Sequence, residues 1–262
     1  MTRTGLHNSS REKILAAIAP YRGHIVTSPD YSTEFYRQYA QEYARVADQF
    51  LQSVYLKSSH TSLKDDWNLL DRLIQLAPGP RGLDAGCGAG GRDVFHAWSL
   101  GYDVIGIDSI EENIQATCDL HSEISGRVFL ADLRHPLPFD NDSFDFLACN
   151  AVIQHIEPDV VKDVVLPEFV RVLRPGGVLQ LMFKCGNDIA TVFDRDYGVD
   201  RSFRLYQESD LIGILNGFGM TLIEDEDPEK LAGLMYFTDP KNVDHCVFFA
   251  RKSDVNQDVT LN

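Results

Sequence analysis

The feature that most constrains the fold of this chain is a regular alternation of short apolar segments and amphipathic segments that begins after residue 80. The cluster Ala77-Pro78-Gly79-Pro80 interrupts the preceding helical pattern, because proline and glycine end helices. Segments with the apolar character of strands then recur at Arg81–Ala85, Asp103–Ile107, Arg127–Leu130, Phe144–Cys149, Val178–Phe183, Met220–Glu224 and Cys246–Ala250. Strands that alternate with helices predict a doubly wound α/β fold, with a mostly parallel sheet of seven strands.

The last part of this predicted sheet differs from the rest. Helices are predicted at Val160–Leu173 and Glu208–Phe218, and Pro175-Gly176-Gly177 is predicted to turn the chain into the fifth strand. The link between the last two predicted strands is long and has no clear helix. We therefore expect the last strand to run antiparallel at the edge of the sheet.

The residues before the proline-glycine cluster follow a helical pattern. Apolar residues recur at helical spacing in Arg11–Ala19, Thr33–Leu56 and Leu63–Leu76. We therefore predict an N-terminal helical cap over residues 1–78, an α/β domain over residues 79–252 and a tail over residues 253–262.

Charge and composition argue against several classes of partner. The formal net charge of −15 argues against nucleic acid, since tight binding to phosphates depends on lysine and arginine. No apolar run approaches the length of about 20 residues that a membrane-spanning helix needs. The polar segment Met1–Ser10 lacks the apolar stretch of a signal peptide, which favours a cytoplasmic location. The five cysteines form no Cys-x-x-Cys pair, and we expect no metal site.

A glycine-rich segment at the end of the first predicted strand, residues 83–91, has two interpretations. Gly86, Gly88 and Gly91 fit the G-x-G-x-x-G pattern of dinucleotide-binding folds, with Asp108 at the end of the next strand as the ribose-binding acid. Alternatively, Asp84 is followed by Gly86, Gly88 and Gly90, an acid and three alternating glycines. Both interpretations place a ligand at the carboxyl ends of the strands.

Further motifs favour the second interpretation. Phe129-Leu130-Ala131-Asp132 ends the third strand with an acid, residues 138–145 read Pro-Phe-Asp-Asn-Asp-Ser-Phe-Asp, and residues 172–179 read Val-Leu-Arg-Pro-Gly-Gly-Val-Leu. Taken in order over residues 32–250, these segments resemble the class I methyltransferases that use S-adenosylmethionine (SAM), of the type 11 and type 25 groups. The resemblance implies a Rossmann-like methyltransferase fold and SAM as the cofactor.

The resemblance also implies which residues hold SAM. Asp84 would lie near the methionine amino group, Asp108 would accept from both ribose hydroxyls, and Asp132 would accept from the adenine amino group. The glycines let the backbone approach the ligand without a Cβ clash. The other residues implied are Leu133 and Ile110 against the adenine, Asn150 beside the methionine portion, and Tyr36 and Tyr43 from the helix that closes over the donor. Each acid also has a structural interpretation, as the cap of the helix that follows its strand.

His155 is the candidate catalytic residue. Members of the family often carry histidine at this place, facing the active-site cleft, and imidazole titrates near neutral pH. Its role is either that of a base or that of a residue that positions the acceptor. The resemblance places the acceptor pocket after the fifth strand, at Phe183, Lys184, Phe203, Arg204 and Tyr206, where Lys184 and Arg204 would suit an anionic acceptor.

The function implied is methyl transfer from SAM to an oxygen or nitrogen atom of a small-molecule acceptor. Three alternatives stay open. The segments 152–155 and 203–208 resemble tRNA wobble-uridine methyltransferases, which would require a partner subunit to supply basic surface. The others are a nicotinamide-dependent reductase and a catalytically silent SAM-binding subunit. No feature of the sequence indicates an oligomeric state.

Overall fold

The central sheet is mixed and mostly parallel. The structure is a computed structural model that describes residues 31–47, 55 and 57–254. Within these residues the strands are β1 (Arg81–Ala85), β2 (Asp103–Asp108), β3 (Val128–Leu130), β4 (Phe144–Asn150), β5 (Leu173–Lys184), β6 (Ile189–Asp194), β7 (Val199–Arg204), β8 (Met220–Leu222), β9 (Met235–Thr238) and β10 (Asp244–Lys252). The main sheet has the order β3-β2-β1-β4-β5-β10-β8, and β9 also pairs with β10.

This topology confirms the predicted fold class. The pairs β1–β2, β2–β3, β1–β4 and β4–β5 are parallel, and β10 runs antiparallel to β5, as expected for the last strand. The strand order reverses between β1 and β4, so the crevice beside β1 is the place where such sheets bind ligands.

The structure adds strands that the sequence pattern did not predict. β9 lies in the long link before β10 and pairs with residues 244–247, while β8, which the pattern predicted at Met220–Glu224, pairs with residues 250–252 along the same edge. β6 and β7 form a separate antiparallel hairpin directly after β5. The predicted turn at Pro175-Gly176-Gly177 is instead a bulge inside β5, since Phe144 pairs with Leu173 and Phe146 pairs with Val178.

The helices cover both faces of the sheet. In the described ranges they are α1 (Tyr31–Ala47), α2 (Asp66–Leu76), α3 (Arg92–Ser99), α4 (Glu111–Leu120), α5 (Pro158–Val160), a π-helical turn (Val161–Val165), α6 (Leu166–Val172) and α7 (Glu208–Gly217). The predicted helix at Arg11–Ala19 and the second part of Thr33–Leu56 lie outside the described residues. No described helix is both long enough and apolar enough to cross a membrane.

Helix α2 packs directly on the sheet. Its side chains Leu69 and Leu73 are buried in one core cluster with Phe146 of β4 and Phe249 of β10. Asp65 begins the helix with a capping box, because its carboxylate accepts from the Asn68 backbone N–H and the Asn68 side chain accepts from the Asp65 backbone. This packing fixes the start of α2 beside the carboxyl end of β1.

Candidate active site

Adjoining cavities lie at the carboxyl ends of β1, β2 and β4. The first cavity, of about 110 Å³, extends over the ends of β2 and β3. The second cavity, of about 660 Å³, extends from β1 past β5 to the β6–β7 hairpin. Both cavities share a set of wall residues, namely Tyr36, Tyr43, Gly86, Gly88, Asn150 and Ala151. The shared wall makes them two parts of one site.

The turn after β1 depends on glycine at Gly86. Its φ angle is +99°, and a Cβ atom there would lie 2.3 Å from Cγ2 of Val152. The N–H groups of Gly86 and Cys87 both donate to the carbonyl oxygen of Ile107, at 2.8 and 2.9 Å. These bonds hold the turn against the end of β2. Because glycine has no side chain, the backbone of the turn lines both cavities directly.

Thr117 of α4 holds the rest of the glycine segment. Its hydroxyl accepts from the N–H of Gly90 at 2.8 Å and donates to the carbonyl oxygen of Gly88 at 3.1 Å. Gly88 lines both cavities, whereas Gly90 lines neither of them. Gly90, which the resemblance assigned to the cofactor, therefore supports the turn through Thr117.

Asp108 anchors the glycine turn and also lines the first cavity. Its carboxylate lines the first cavity and accepts hydrogen bonds from the Gly88 N–H, the Ile110 N–H and the Asn113 side chain, at 3.0, 2.9 and 3.1 Å. A carboxylate has about four acceptor positions, so one remains for a ligand hydroxyl. Burial raises the pKa of Asp108, and these hydrogen bonds partly offset the rise.

Asp132 lies on the far side of the first cavity, but Arg134 holds it. The guanidinium of Arg134 binds both carboxylate oxygens at 2.9 to 3.0 Å, and the Arg134 N–H donates to the same group at 2.9 Å. Ile110 and Leu133, both buried, provide the apolar walls between Asp108 and Asp132. This arrangement fits a flat, largely apolar ring with polar edges.

Asp84 is the most unusual acid of the site. It is 6% exposed and lines the second cavity, and no described residue donates a hydrogen bond to its carboxylate. Burial raises the pKa of Asp84 well above its ordinary value, and the negative charge of Asp93 raises it further. A buried carboxylate without a donor is costly in free energy, so this position fits a cationic ligand group.

A cluster around Arg92 lies beside Asp84 and was missed in the sequence. Arg92 donates to Asp66 at the start of α2 and to Asp93, and Tyr55 donates to the other oxygen of Asp66. Asn150 links this cluster to the sheet, since it donates to Asp93 at 3.2 Å and accepts from Gln180 at 2.8 Å. The adjacent Arg92-Asp93 pair directly after the glycines was the sequence signal that could have indicated this charged cluster.

Helix α1 covers the junction between the two cavities. It packs closely on the glycine turn because the contact is made by small residues, with Ala40 and Ala44 of α1 against Ala89 and Ala116. The rings of Tyr36 and Tyr43 meet edge to face with centroids 5.5 Å apart and line both cavities. Tyr36 and Tyr43 therefore form part of the wall that the two cavities share.

His155 is held on both ring nitrogens. Its Nε2 lies 3.3 Å from the hydroxyl of Tyr36, and its Nδ1 lies 3.1 Å from the hydroxyl of Ser32. Arg201 donates to the Tyr36 hydroxyl at 2.8 Å, so that the Tyr36 proton is directed to His155. Burial, together with the positive charges of Arg201 and Lys184, lowers the pKa of His155 to about 3. His155 is therefore neutral at physiological pH.

This low pKa predicts a pH dependence of stability. In the unfolded chain His155 takes up a proton near pH 6.5, whereas in the folded chain it does so only near pH 3. Stability therefore falls as pH falls through this window, by about 1.4 kcal/mol per pH unit. Between pH 7.5 and 5.5, wild type should lose about 1.4 kcal/mol more unfolding free energy than His155→Asn, as measured by urea denaturation. Equal losses would mean that His155 titrates normally.

The far end of the second cavity is basic. Lys184 donates to Asp239 at 2.9 Å and lies 3.0 Å from His245 Nε2, while Arg201 and Lys241 both bind Asp194, at 3.0 and 2.9 Å. Lys184 and Phe203 line this cavity, as the resemblance implied. The other residues expected there lie elsewhere: Phe183 is in the core, Tyr206 donates to backbone carbonyls, and Arg204 binds Glu157.

Comparisons with known proteins agree with this geometry. The sequence model of the family described as "Methyltransferase domain" matches residues 83–181. The 2-methyl-6-phytyl-1,4-hydroquinone methyltransferase of Synechocystis sp. is 33% identical over 134 residues, which cover 51% of this chain and 39% of the relative. Phosphoethanolamine N-methyltransferase 3 of Arabidopsis thaliana is 29% identical over 121 residues, which cover 43% of this chain and 23% of the relative. The matched segment is thus less than half the length of either relative.

A solved structure extends the comparison to most of the fold. The 1,6-didemethyltoxoflavin-N1-methyltransferase of Burkholderia thailandensis, with 1,6-didemethyltoxoflavin and S-adenosylhomocysteine bound, aligns with a TM-score of 0.59 at 18% identity. The alignment covers 88% of this chain and 93% of that one. The resemblance seen in the motifs is confirmed by the family match and by this shared fold. Residues 83–181 of this chain therefore match the methyltransferase-domain family, and most of the chain shares the fold of a methyltransferase solved with S-adenosylhomocysteine bound.

Proposed function

We propose that the protein transfers the methyl group of SAM to an oxygen or nitrogen atom of a small molecule. The observation that carries the proposal is Asp84, a buried carboxylate without a donor that lines the cavity beside a bare glycine turn. An ammonium group would supply the missing donors by a charge-assisted hydrogen bond. The named relatives act on a quinol and on phosphoethanolamine, which supports a small acceptor.

The residues of both cavities fit the parts of SAM. We propose that Asp84 holds the methionine ammonium, that Asp108 accepts from a ribose hydroxyl, and that Ile110 and Leu133 hold the adenine between them. Asn150 would lie beside the methionine portion, with the backbone of Gly86 and Gly88 close to the ligand. For Asp132 the proposed contact with the adenine amino group would replace one of the four hydrogen bonds that Arg134 donates to this carboxylate. Tyr36 and Tyr43 would close the site from above.

When bound, SAM supplies a methyl group on a positively charged sulfur, which is already activated for transfer. The protein's contribution is then to align the acceptor and to exclude water. Tyr36 and Tyr43 exclude water, because their rings form part of the common wall of both cavities. We propose that His155 aligns the acceptor. Its pKa of about 3 makes the neutral ring a weak base, which favours a positioning role.

Two substitutions test the assignment of SAM to this site. Asp108→Ala removes the proposed ribose acceptor and the anchor of Gly88, and we expect SAM affinity to fall about tenfold or more. His155→Ala removes a group that faces the acceptor, and we expect SAM affinity to change less than twofold. Isothermal titration calorimetry measures both, with circular dichroism to confirm folding. Normal SAM binding by Asp108→Ala would refute the ribose assignment.

The acceptor and the alternative functions are tested by turnover. Incubating cell extracts with methyl-labelled SAM and the protein, followed by mass spectrometry, should yield a labelled small molecule. Label in tRNA would favour the RNA-modifying alternative, which no comparison supports. A rise in melting temperature with NADPH and none with SAM would favour the reductase. Saturating ligand at about 100 times its dissociation constant adds about 2.7 kcal/mol of stability, which is easily measured.

A further inference from the structure

The second cavity is divided by charge along its length. The end beside β1 carries Asp66, Asp84 and Asp93 with Arg92 among them. Among the described residues, the opposite end is lined by four cations, Lys184, Arg195, Arg201 and Lys241, and by Asp196 and Asp239. We call Lys184, Arg195, Arg201 and Lys241 the basic end. Such a concentration of cations contrasts with a chain whose net charge is −15.

Lys184 points a donor into this end. The N–H of His245 Nδ1 lies 3.2 Å from the carbonyl oxygen of Val243, which makes the other nitrogen, Nε2, the acceptor for Lys184. The ammonium therefore donates to His245 and to Asp239. An ammonium has three N–H bonds, and the third has no acceptor within the described residues. Its nitrogen is buried and lies 4.6 Å from the ring centre of Phe203, another residue of the cavity wall.

The four cations of the basic end face three acids, Asp194, Asp196 and Asp239. The carboxylate of Asp194 is buried and is shared between Arg201 and Lys241, and Lys241 also lies 3.8 Å from Asp196. Arg195, in the turn that follows β6, is exposed and makes no ion pair with any described residue. One positive charge is thus in excess at this wall, and Arg195 and the third N–H of Lys184 are the groups that can bind an anion.

We infer that the methyl acceptor carries a carboxylate or phosphate group that binds at the basic end, between the β6–β7 hairpin and Lys184. The inference rests on the proposed function, which places the methionine portion of SAM at the opposite, acidic end. Arginine and lysine bind both kinds of anion through charge-assisted hydrogen bonds. The aromatic rings of Phe203 and Phe237 line the same cavity and suit an apolar body joined to the anionic group.

Binding of small aromatic probes tests this inference. Benzoate and phenyl phosphate are compared with their neutral counterparts benzamide and phenol, by isothermal titration calorimetry on protein saturated with S-adenosylhomocysteine. Ionic strength is held constant, because salt screens exposed charges such as Arg195. We expect at least one anion to bind at least tenfold more tightly than its neutral counterpart, and the better of the two identifies carboxylate or phosphate as the preferred group.

Matched variants locate the binding. Arg195→Gln changes an exposed residue of the cavity rim, and the double variant Lys184→Met, Asp239→Asn removes the buried pair without leaving an unpaired charge. Both should weaken anion binding at least fivefold. Arg204→Gln is the control, since Arg204 lies on the same hairpin, changes the charge equally and binds Glu157 outside the cavity. It should leave anion binding unchanged.

The outcomes separate this inference from the proposed function. Equal affinity for benzoate and benzamide, and for phenyl phosphate and phenol, would overturn the inference. Equal weakening by Arg195→Gln and Arg204→Gln would also overturn it, because general charge would then explain the binding. Failure of the wild-type protein to bind S-adenosylhomocysteine would instead refute the proposed function. Tight binding of S-adenosylhomocysteine without anion preference leaves the proposed function intact.

Discussion

Asp84→Asn is expected to raise the stability of the cofactor-free protein and to weaken SAM binding by about tenfold to hundredfold. The variant removes a buried charge that has no donor among the described residues, so the folded state gains free energy. The same change removes the charge-assisted hydrogen bond to the ammonium, which is worth about 1.5–3 kcal/mol. The melting temperature of the cofactor-free protein should therefore rise, whereas the SAM affinity measured by isothermal titration calorimetry should fall.

The gain in stability should depend on pH. The pKa of Asp84 lies above that of an unfolded aspartate, so the folded state loses stability as pH rises through the interval between the two values. Asp84→Asn removes this loss, and its advantage over wild type should therefore be larger at pH 8 than at pH 5.

A second buried acid provides the control for Asp84. Asp145 lies at the other end of the sheet, accepts from the Arg81 N–H at 2.8 Å and pairs with Arg174 at 2.6 Å. Because its charge is paired with Arg174 and it accepts from a backbone N–H, Asp145→Asn should lower stability and leave SAM affinity unchanged. If Asp84→Asn behaved in the same way, the ammonium would not bind at Asp84.

Gly86→Ala is expected to lower the unfolding free energy by about 3 kcal/mol or more and to abolish measurable SAM binding. The φ angle of +99° is strained for alanine by about 1–2 kcal/mol. The added Cβ would also lie 2.3 Å from Val152, and overpacking costs typically about 1–3 kcal/mol more. The turn has to move, and with it the backbone that faces both cavities. Urea denaturation and calorimetry measure the two effects.

Gly101→Ala separates the backbone effect from the clash. Gly101 has a similar φ angle of +96°, but no atom lies within 4 Å of the position of its missing Cβ. Gly101→Ala should lower the unfolding free energy by about 1–2 kcal/mol and leave SAM binding intact. Equal losses from the two variants would show that the contact with Val152 has no effect.

Several of the predicted residues reach the two cavities through local chain geometry alone. Asp84 lies near the end of β1, Asp108 ends β2 and Asp132 follows β3, so the fold class alone brings them to one edge of the sheet. Gly86 and Gly88 are part of the same strand-to-helix turn. A motif of this kind needs no knowledge of tertiary contacts.

The residues that were missed belong to contacts between distant segments. Tyr36 and His155 were both predicted, but their contact joins positions 119 apart, and the contact of Tyr36 with the missed residue Arg201 joins positions 165 apart. Lys184 and His245 meet because β5 and β10 pair antiparallel, in a register that places these two residues opposite each other. A single sequence carries no periodic signal for such a register, which is why His245, Asp239 and Arg201 were not predicted.

Thr117 has one more consequence. By holding a carbonyl oxygen and an N–H of the glycine turn at once, this buried hydroxyl fixes the turn in its curved shape with the protein's own bonds. In the proposed function, the nucleoside of SAM would bind a turn that is already ordered. Binding would therefore lose no affinity to the entropic cost of ordering a flexible loop. Fast binding of SAM and fast release of S-adenosylhomocysteine would then be compatible with high affinity, since neither step requires this segment to fold or unfold.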